Sequence, residues 1–186
     1  VNRAGVNGKI IFDPYVPLLP TVFVTAAPTK DLSILFSGRR TYVDSVFNTL
    51  DMKEQIHFYI QDHYLKGTYN LFDNHRIHYI TFGSDDLNEN FISKKLLTRT
   101  KSQVDALKWE FLINNKMYVE SIFSRSNTYQ YYKNDEKGNY FVLNSNEYRL
   151  YQQFNITYKS YYMKSGYEVN VQDGYIKSNY NLDDVS

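Results

Sequence analysis

The stretch LSILFSGRRTY, residues 32–42, alternates apolar and polar residues before it reaches a pair of arginines. In an extended strand, Leu32, Ile34 and Phe36 share one face, because successive side chains point to opposite sides. Ser37 and Arg39 fall on the other face. Further stretches of the chain repeat this period of two. The pattern predicts strands with one apolar and one polar face, so the chain is expected to be all-β.

Composition limits the classes of protein that fit. The 186 residues suit one domain, and 21 basic against 20 acidic residues give a net charge of +1. This balance argues against a nucleic-acid-binding protein that relies on bulk positive charge. The 19 tyrosines and 12 phenylalanines favour strands, and tyrosine also suits a membrane–water interface. The chain has no cysteine, which excludes disulfides and cysteine-based metal sites.

The apolar runs are far shorter than the roughly 20 residues that a transmembrane helix requires. The strands of a membrane barrel need no such run, because only every second residue faces lipid. The alternation is therefore compatible with a soluble β protein and with part of an outer-membrane barrel.

The order of the predicted strands indicates an antiparallel up-and-down meander. Residues 1–30 hold all four prolines and predict an irregular lead-in with two short strands. Residues 31–180 predict antiparallel hairpins, which brings the total to about eight to ten strands, several of them longer than is usual in globular proteins. Beyond the strand that begins at Leu32, strands are expected at 55–71, 76–84, 102–113, 116–126, 149–158 and 167–171, with a turn near Ser160 and the start of one more strand at 173–180.

The connections between these strands alternate in length. Short turns are predicted at 72–75 and 114–115, where Asp and Asn supply the turn chemistry. Longer loops are predicted at 40–55, 85–101 and 132–145. Short turns at one end and long loops at the other are typical of outer-membrane barrels, and a soluble β-meander also has this layout.

Three segments together resemble the TonB-dependent outer-membrane receptors. In that family an alternating strand ends in Arg-Arg-Ser/Thr-Tyr followed by an apolar residue and Asp, as residues 32–44 do. In the next hairpin, Asp62 and Lys66 precede Tyr69, a short turn and FGSDD at 82–86. The third segment pairs LKWEF at 107–111 with FSRS at 123–126, where Ser126 and Asn127 stand in place of the usual aromatic residue.

The resemblance implies a fold and a function. The chain would be an N-terminal part of a transmembrane β-barrel that has 22 strands when complete, without the plug domain. The whole receptor would import a scarce nutrient, such as a ferric siderophore, cobalamin or a carbohydrate, across the outer membrane of a Gram-negative bacterium. Its partners would be the lipid bilayer, the nutrient, and the TonB complex through the plug domain. No enzymatic activity and no cofactor are expected.

The resemblance also assigns the two faces of the strands. Substrate contacts would come from loops 40–55, 85–101 and 132–145, and no particular substrate-binding residue is predicted. The residues expected to face lipid are Leu32, Ile34, Phe36, Leu107, Trp109, Phe111, Phe154 and Ile156. The residues expected to face the lumen are Ser33, Ser37, Arg39, Lys108, Glu110, Asn155 and Lys159.

All four histidines lie between residues 57 and 78, which makes them candidate metal ligands. His57 and His63 share a strand face but are about 20 Å apart at roughly 3.3 Å per residue. His78 is expected to pair near Tyr69, which leaves His75 and His78 as the two that can approach each other. No metal site is predicted.

Charged pairs give no catalytic or binding site either. Arg39 and Arg40 are expected on opposite faces, one in the lumen and one in a loop, where they pair with carboxylates. Asp62 and Lys66 lie about 13 Å apart along one strand, so each needs a partner on a neighbouring strand, whereas Lys108 and Glu110 are close enough to interact. Asp85 and Asp86 are expected to begin a loop, and two carboxylates fall short of a calcium ligand set. The chain has no Gly-rich phosphate loop and no Ser/His/Asp arrangement.

The alternative interpretation is a soluble β-rich binding or structural module, such as a secreted adhesin or a phage virion protein. An enzyme ranks third. The apolar faces separate the first two, because a soluble domain must bury them against a second layer.

Overall fold

The chain forms one antiparallel sheet of nine strands in the part that the computed structural model describes, residues 5–11, 21–41, 56–90, 96–134, 138–158 and 161–179. Each strand pairs with the next in the chain, so the topology is an up-and-down meander, as predicted. These residues contain no helix, and hence none that is long and apolar enough to cross a membrane. The strands are β1 Gly5–Ile11, β2 Thr21–Ala27, β3 Leu32–Arg40, β4 Ile56–Phe72, β5 His75–Asn90, β6 Leu96–Asn114, β7 Met117–Asn134, β8 Asn139–Tyr158 and β9 Tyr161–Asn179.

Most predicted elements at the start of the chain and near the short turns are confirmed. The lead-in contains two short strands, β1 and β2. Strand β4 begins and ends within one residue of its predicted limits, and it has the predicted length of 17 residues. Turns occur at 73–74 and 115–116, whereas the predicted turn near Ser160 lies outside the described residues. Beyond Thr41, the predicted loop 40–55 lies outside the described residues.

The predicted loops 85–101 and 132–145 were wrong. Strand β5 continues to Asn90 and β6 already begins at Leu96, while β7 ends at Asn134 and β8 begins at Asn139. The described residues of these segments, 85–90, 96–101, 132–134 and 139–145, show no regular alternation in the sequence, yet they belong to paired strands. The further strand expected at 173–180 is also wrong, because these residues belong to the last part of β9.

Successive hairpin turns are displaced along the strand direction from one strand pair to the next. His75, directly after the first turn, pairs with Phe111, but β6 runs on to Asn114 before it turns. Val119 pairs with Phe154, and β8 runs on to Tyr158. Such a stagger occurs when strands are tilted, as barrels require. The nine strands described here form an open sheet, with β1 and β9 at its edges.

Strand β9 lies very close to β8 at Gly166. A β-carbon built on Gly166 would clash with the backbone carbonyl oxygen of Gln152 and lie 3.0 Å from the Cα of Gln153. Because these are backbone atoms rather than flexible side-chain ends, the clash cannot be relieved by a rotamer change. The position therefore requires glycine.

We expect Gly166→Ala to lower the free energy of unfolding by about 1–3 kcal/mol, because β9 must move away from β8 to admit the methyl group. Denaturant unfolding in detergent micelles, followed by far-UV circular dichroism, measures the loss. Gly67→Ala on β4 is the matched control, since a β-carbon there meets no atom within 4 Å. Equal stability of the two variants would contradict this account of β9.

Candidate functional site

The strand register divides the side chains into two faces. Leu107 is paired with Tyr79 and Phe123, and Trp109 with Ile77, so these side chains share a face. We call the set below the apolar band; it lies at the end of the sheet that carries the turns at 73–74 and 115–116, the turn end. The band comprises Leu32, Ile34, Phe36, Leu65, Ile77, Tyr79, Leu107, Trp109, Phe111, Phe123, Tyr148, Leu150, Phe154, Ile156, Val169 and Val171.

Much of the apolar band is exposed. Leu107 is 50 %, Phe123 52 % and Phe154 44 % exposed, since no second layer of described residues covers them. Among the described residues, Val119 is the only buried hydrophobic side chain. The described sheet therefore has no core of the kind that two packed layers give to a soluble domain.

Aromatic rings stack at the turn end of the band. The rings of His75 and Phe111 are nearly parallel, with centres 4.4 Å apart, and Trp109 stacks against both of them at 5.8 Å. The indole Nε1–H of Trp109 donates to Nδ1 of His75 at 3.2 Å. Phe72 meets His75 edge-on. The hydrogen bond satisfies the indole N–H within the protein, so only ring surface remains on the outside of this cluster.

The opposite face carries charges at the same level of the sheet. Lys108 Nζ lies 2.9 Å from a carboxylate oxygen of Glu110 and 2.6 Å from one of Glu120. Glu110 and Glu120 are directly paired across β6 and β7, where like charges repel. Lys108 therefore bridges two carboxylates that would otherwise destabilise the pairing.

Further polar contacts lie on both sides of this bridge. His78 Nε2 lies 3.4 Å from Glu110, and its Nδ1 is 3.0 Å from the hydroxyl of Thr68. Further along the sheet, Asn155 is 1 % exposed and its side-chain oxygen accepts a hydrogen bond from Gln153 Nε2 at 2.6 Å. These polar groups from five strands (β4 to β8) form what we call the charged face.

A cavity of about 910 Å³ opens on the charged face at the turn end. Its lining includes acidic and basic side chains together with apolar ones. The charged residues that line it are Lys30, Asp31, Asp73, Arg76, Lys108, Glu110 and Glu120.

Beyond the apolar band, toward Asn90 and Leu96, the same face becomes polar; we call this the loop end. Arg99 donates to both carboxylate oxygens of Asp85, at 3.0 and 2.8 Å, and to the Tyr59 hydroxyl at 3.1 Å. Lys101 lies 3.3 Å from Asp85. The hydrogen bonds from Arg99 hold the pKa of Asp85 below its usual value, although partial burial acts in the opposite direction.

The predicted separation of faces is confirmed. All eight residues expected to face lipid lie in the apolar band, and of the seven expected to face the lumen, the six described lie on the opposite face. Lys159 lies outside the described residues. That the two surroundings are lipid and lumen stays a prediction.

Most of the predicted charge geometry is also confirmed. Arg39 pairs with Asp62 on the neighbouring strand, while Arg40 lies on the other face, 5.4 Å from the ring centre of Tyr59. Lys108 and Glu110 interact as expected. The placement of Asp85 in a loop was wrong, because it lies inside β5, paired with Lys101.

His75 and His78 lie on opposite faces of the sheet, and the described residues contain no group of three or more side chains able to hold a metal ion.

Sequence reasoning did not identify Gln153 and Asn155 as a linked, buried pair. The spacing of two residues in a strand is the signal that points to it.

Comparison with known proteins gives no relative. No protein-family model, no curated protein and no solved structure matches this chain.

We expect Lys108→Met to destabilise the sheet by about 1–2 kcal/mol, because Glu110 and Glu120 then face each other without the cation that bridges them. Denaturant unfolding in detergent micelles at pH 7 measures the loss.

Lys66→Met is the matched control, since Lys66 lies on the same face between Leu35 and Ile80, which carry no charge. The same loss in both variants would contradict the bridging role of Lys108.

Proposed function

We propose that the chain forms part of the β-barrel of a TonB-dependent outer-membrane receptor for nutrient uptake, of the siderophore, cobalamin or carbohydrate class. The observation that carries the proposal is the exposed apolar band backed by a connected charged face. In outer-membrane barrels the outward residues form an apolar band and the inward residues are polar. A soluble sheet with one exposed apolar face of this extent is unusual.

The height of the apolar band supports the proposal that this part of the sheet lies in a membrane. On β8 the band runs from Tyr148 to Ile156, about 26 Å along the strand at roughly 3.3 Å per residue. For a strand tilted by about 40°, this corresponds to about 20 Å across the bilayer. The apolar band of outer-membrane barrels is about 25 Å tall.

The residues at the two limits of the apolar band also fit a membrane barrel. The stacked rings of His75, Trp109 and Phe111 lie at its turn end, where barrels carry a girdle of aromatic residues. At the other limit, Tyr79 donates to Asp105 at 3.1 Å, and the residues beyond are polar. The strands then continue toward the loop end, which corresponds to the extracellular side, while the short turns lie on the periplasmic side.

The proposal that the protein transports a nutrient rests on the resemblance of residues 32–126 to the TonB-dependent receptors. In such a receptor the TonB complex would supply energy through the plug domain, and the charged face would line the lumen. The alternative, a soluble β-rich module, requires an additional layer over Leu107, Phe123 and Phe154. A chain that is soluble and folds cooperatively as a monomer without detergent would favour that alternative.

The first test compares the chain in buffer with the chain in detergent micelles by far-UV circular dichroism. We expect it to be insoluble in buffer and to show β-structure in micelles, since an exposed apolar band and two free sheet edges favour aggregation in water.

A pair of arginine substitutions on β6 tests which face meets lipid. Leu107→Arg on the apolar face should reduce insertion into phosphatidylcholine vesicles, because a basic residue on the lipid-facing side of a barrel costs up to about 2–4 kcal/mol, with the largest cost at the middle of the bilayer. Val104→Arg is the control on the opposite face, where Val104 is 36 % exposed. Insertion is read by flotation of the vesicles and protection from protease. A larger effect at Val104 would reverse the assignment of the faces.

A further inference from the structure

An uncharged patch rich in hydroxyl groups interrupts the charged face toward the loop end, on strands β6 and β7. Within residues 96–106 of β6 and 122–134 of β7, every second side chain lies on this face, and none of these side chains carries a charge. We call the serines and threonines among them the hydroxyl wall; its residues are Thr98, Thr100, Ser102, Ser124, Ser126 and Thr128.

The other face of the same two segments does carry charges. They belong to Arg99, Lys101, Asp105, Arg125 and Lys133. The two strands are therefore not free of charge as a whole. Their charged and uncharged polar side chains are sorted onto different faces, and the uncharged ones are on the hydroxyl wall.

The hydroxyl wall continues onto the neighbouring strands as a row of four directly paired residues across β5 to β8: Ser84, Ser102, Thr128 and Ser145. With about 4.8 Å between strands, the row is about 14 Å long. Ser145 Oγ accepts a hydrogen bond from Gln172 Nε2 at 3.1 Å, whereas the other three hydroxyls form no hydrogen bond within the described part of the chain. Each of these three can both donate to a ligand and accept from it.

Aromatic side chains border this row on both sides. Toward the turn end, Phe82 is 41 % exposed and is paired with Val104. Toward the loop end, Tyr132 and Phe141 are paired across β7 and β8. Sites that combine ring surface with a few hydrogen-bonding groups suit ligands that have both apolar and polar surface. A sugar ring has both, because its C–H groups pack on a ring and its hydroxyls form hydrogen bonds.

The charges next to the hydroxyl wall oppose an anionic ligand. Arg149 on β8 lies 3.2 Å from Glu147 and 3.3 Å from Glu168, so its charge is already compensated. Asp86 on β5 is paired with Thr100 and adds a negative charge beside the wall. An anion would have to displace the carboxylates from Arg149 and approach Asp86, whereas a neutral ligand leaves these groups as they are.

We propose that the hydroxyl wall binds a neutral oligosaccharide, which makes a carbohydrate the nutrient that the barrel admits. The free hydroxyls of the wall form hydrogen bonds with the sugar hydroxyls, and Phe82 and Tyr132 contact the C–H surface of the sugar rings. The inference rests on the proposed function, because the charged face lines a lumen only if the sheet belongs to a barrel. The hydroxyl wall then lies toward the extracellular side, from which the nutrient enters.

The test uses the full chain folded in detergent micelles and ligands that differ in charge. Maltohexaose and mannohexaose are the neutral probes, and hexagalacturonate, with a carboxylate on every ring, is the charged probe. Titrations followed by saturation-transfer difference NMR measure the affinities. We expect at least one neutral hexasaccharide to bind at least tenfold more tightly than hexagalacturonate.

Thr100→Val/Thr128→Val removes two hydroxyls of the wall and keeps the size and branching of the side chains. We expect it to weaken the binding of the neutral hexasaccharide by about tenfold, because two hydrogen bonds to the ligand are lost. Thr21→Val/Thr25→Val is the matched control on β2, which lies on the same face four strands from β6, and it should bind as the unmodified chain does. Thr128→Val alone replaces the double variant if the latter fails to fold by circular dichroism, and it should weaken binding in the same direction.

Four results would overturn the inference: no binding of either neutral hexasaccharide, equal binding of hexagalacturonate, unchanged affinity in the Thr100 and Thr128 variants, or displacement of the hexasaccharide by cyanocobalamin, which marks a site for another nutrient. A chain that is soluble and folds cooperatively without detergent refutes the proposed function instead, so the two failures are distinguishable.

Discussion

The structure depends on one constraint: a single antiparallel sheet has two faces, and the side chains of each face need an environment that matches their polarity. The backbone ladder satisfies the hydrogen-bonding groups between strands and leaves the side chains of each face without a partner layer among the described residues. At the turn end, one face offers exposed rings and aliphatic chains such as Leu107 and Phe123. The other face offers linked charges around Lys108. Contact with water is favourable only for the charged face.

This division could be predicted because it follows from a period of two, which each strand carries on its own. Leu32, Ile34 and Phe36 already fix their shared face, whatever strand pairs with them. The strand lengths at the loop end could not be predicted. Asp85 and Lys101 look like loop residues in the sequence, but they are paired across β5 and β6. The residues around Asp85 and Lys101 show no regular alternation, and only the backbone ladder, which carries no sequence signal, shows that the strands continue.

The same limit applies to the charged face. The link between Lys108 and Glu110 can be predicted from the sequence, because the two residues are two positions apart on one strand. The contacts of Lys108 with Glu120, and of His78 with Thr68, depend on the register between strands. Sequence reasoning placed His78 near Tyr69, within one residue of its partner Thr68. Because a shift of one residue moves a side chain to the opposite face, an approximate register does not show which side chains meet across the strands.

The central claim is that lipid covers the apolar band, and the single tryptophan of the chain, Trp109, reports on it directly. The measurement is the quenching of its fluorescence in phosphatidylcholine vesicles whose acyl chains carry bromine, compared with quenching by acrylamide in the water phase. Strong quenching by the brominated lipid together with weak quenching by acrylamide is the predicted result. Emission that acrylamide quenches and brominated lipid leaves unchanged would contradict the account.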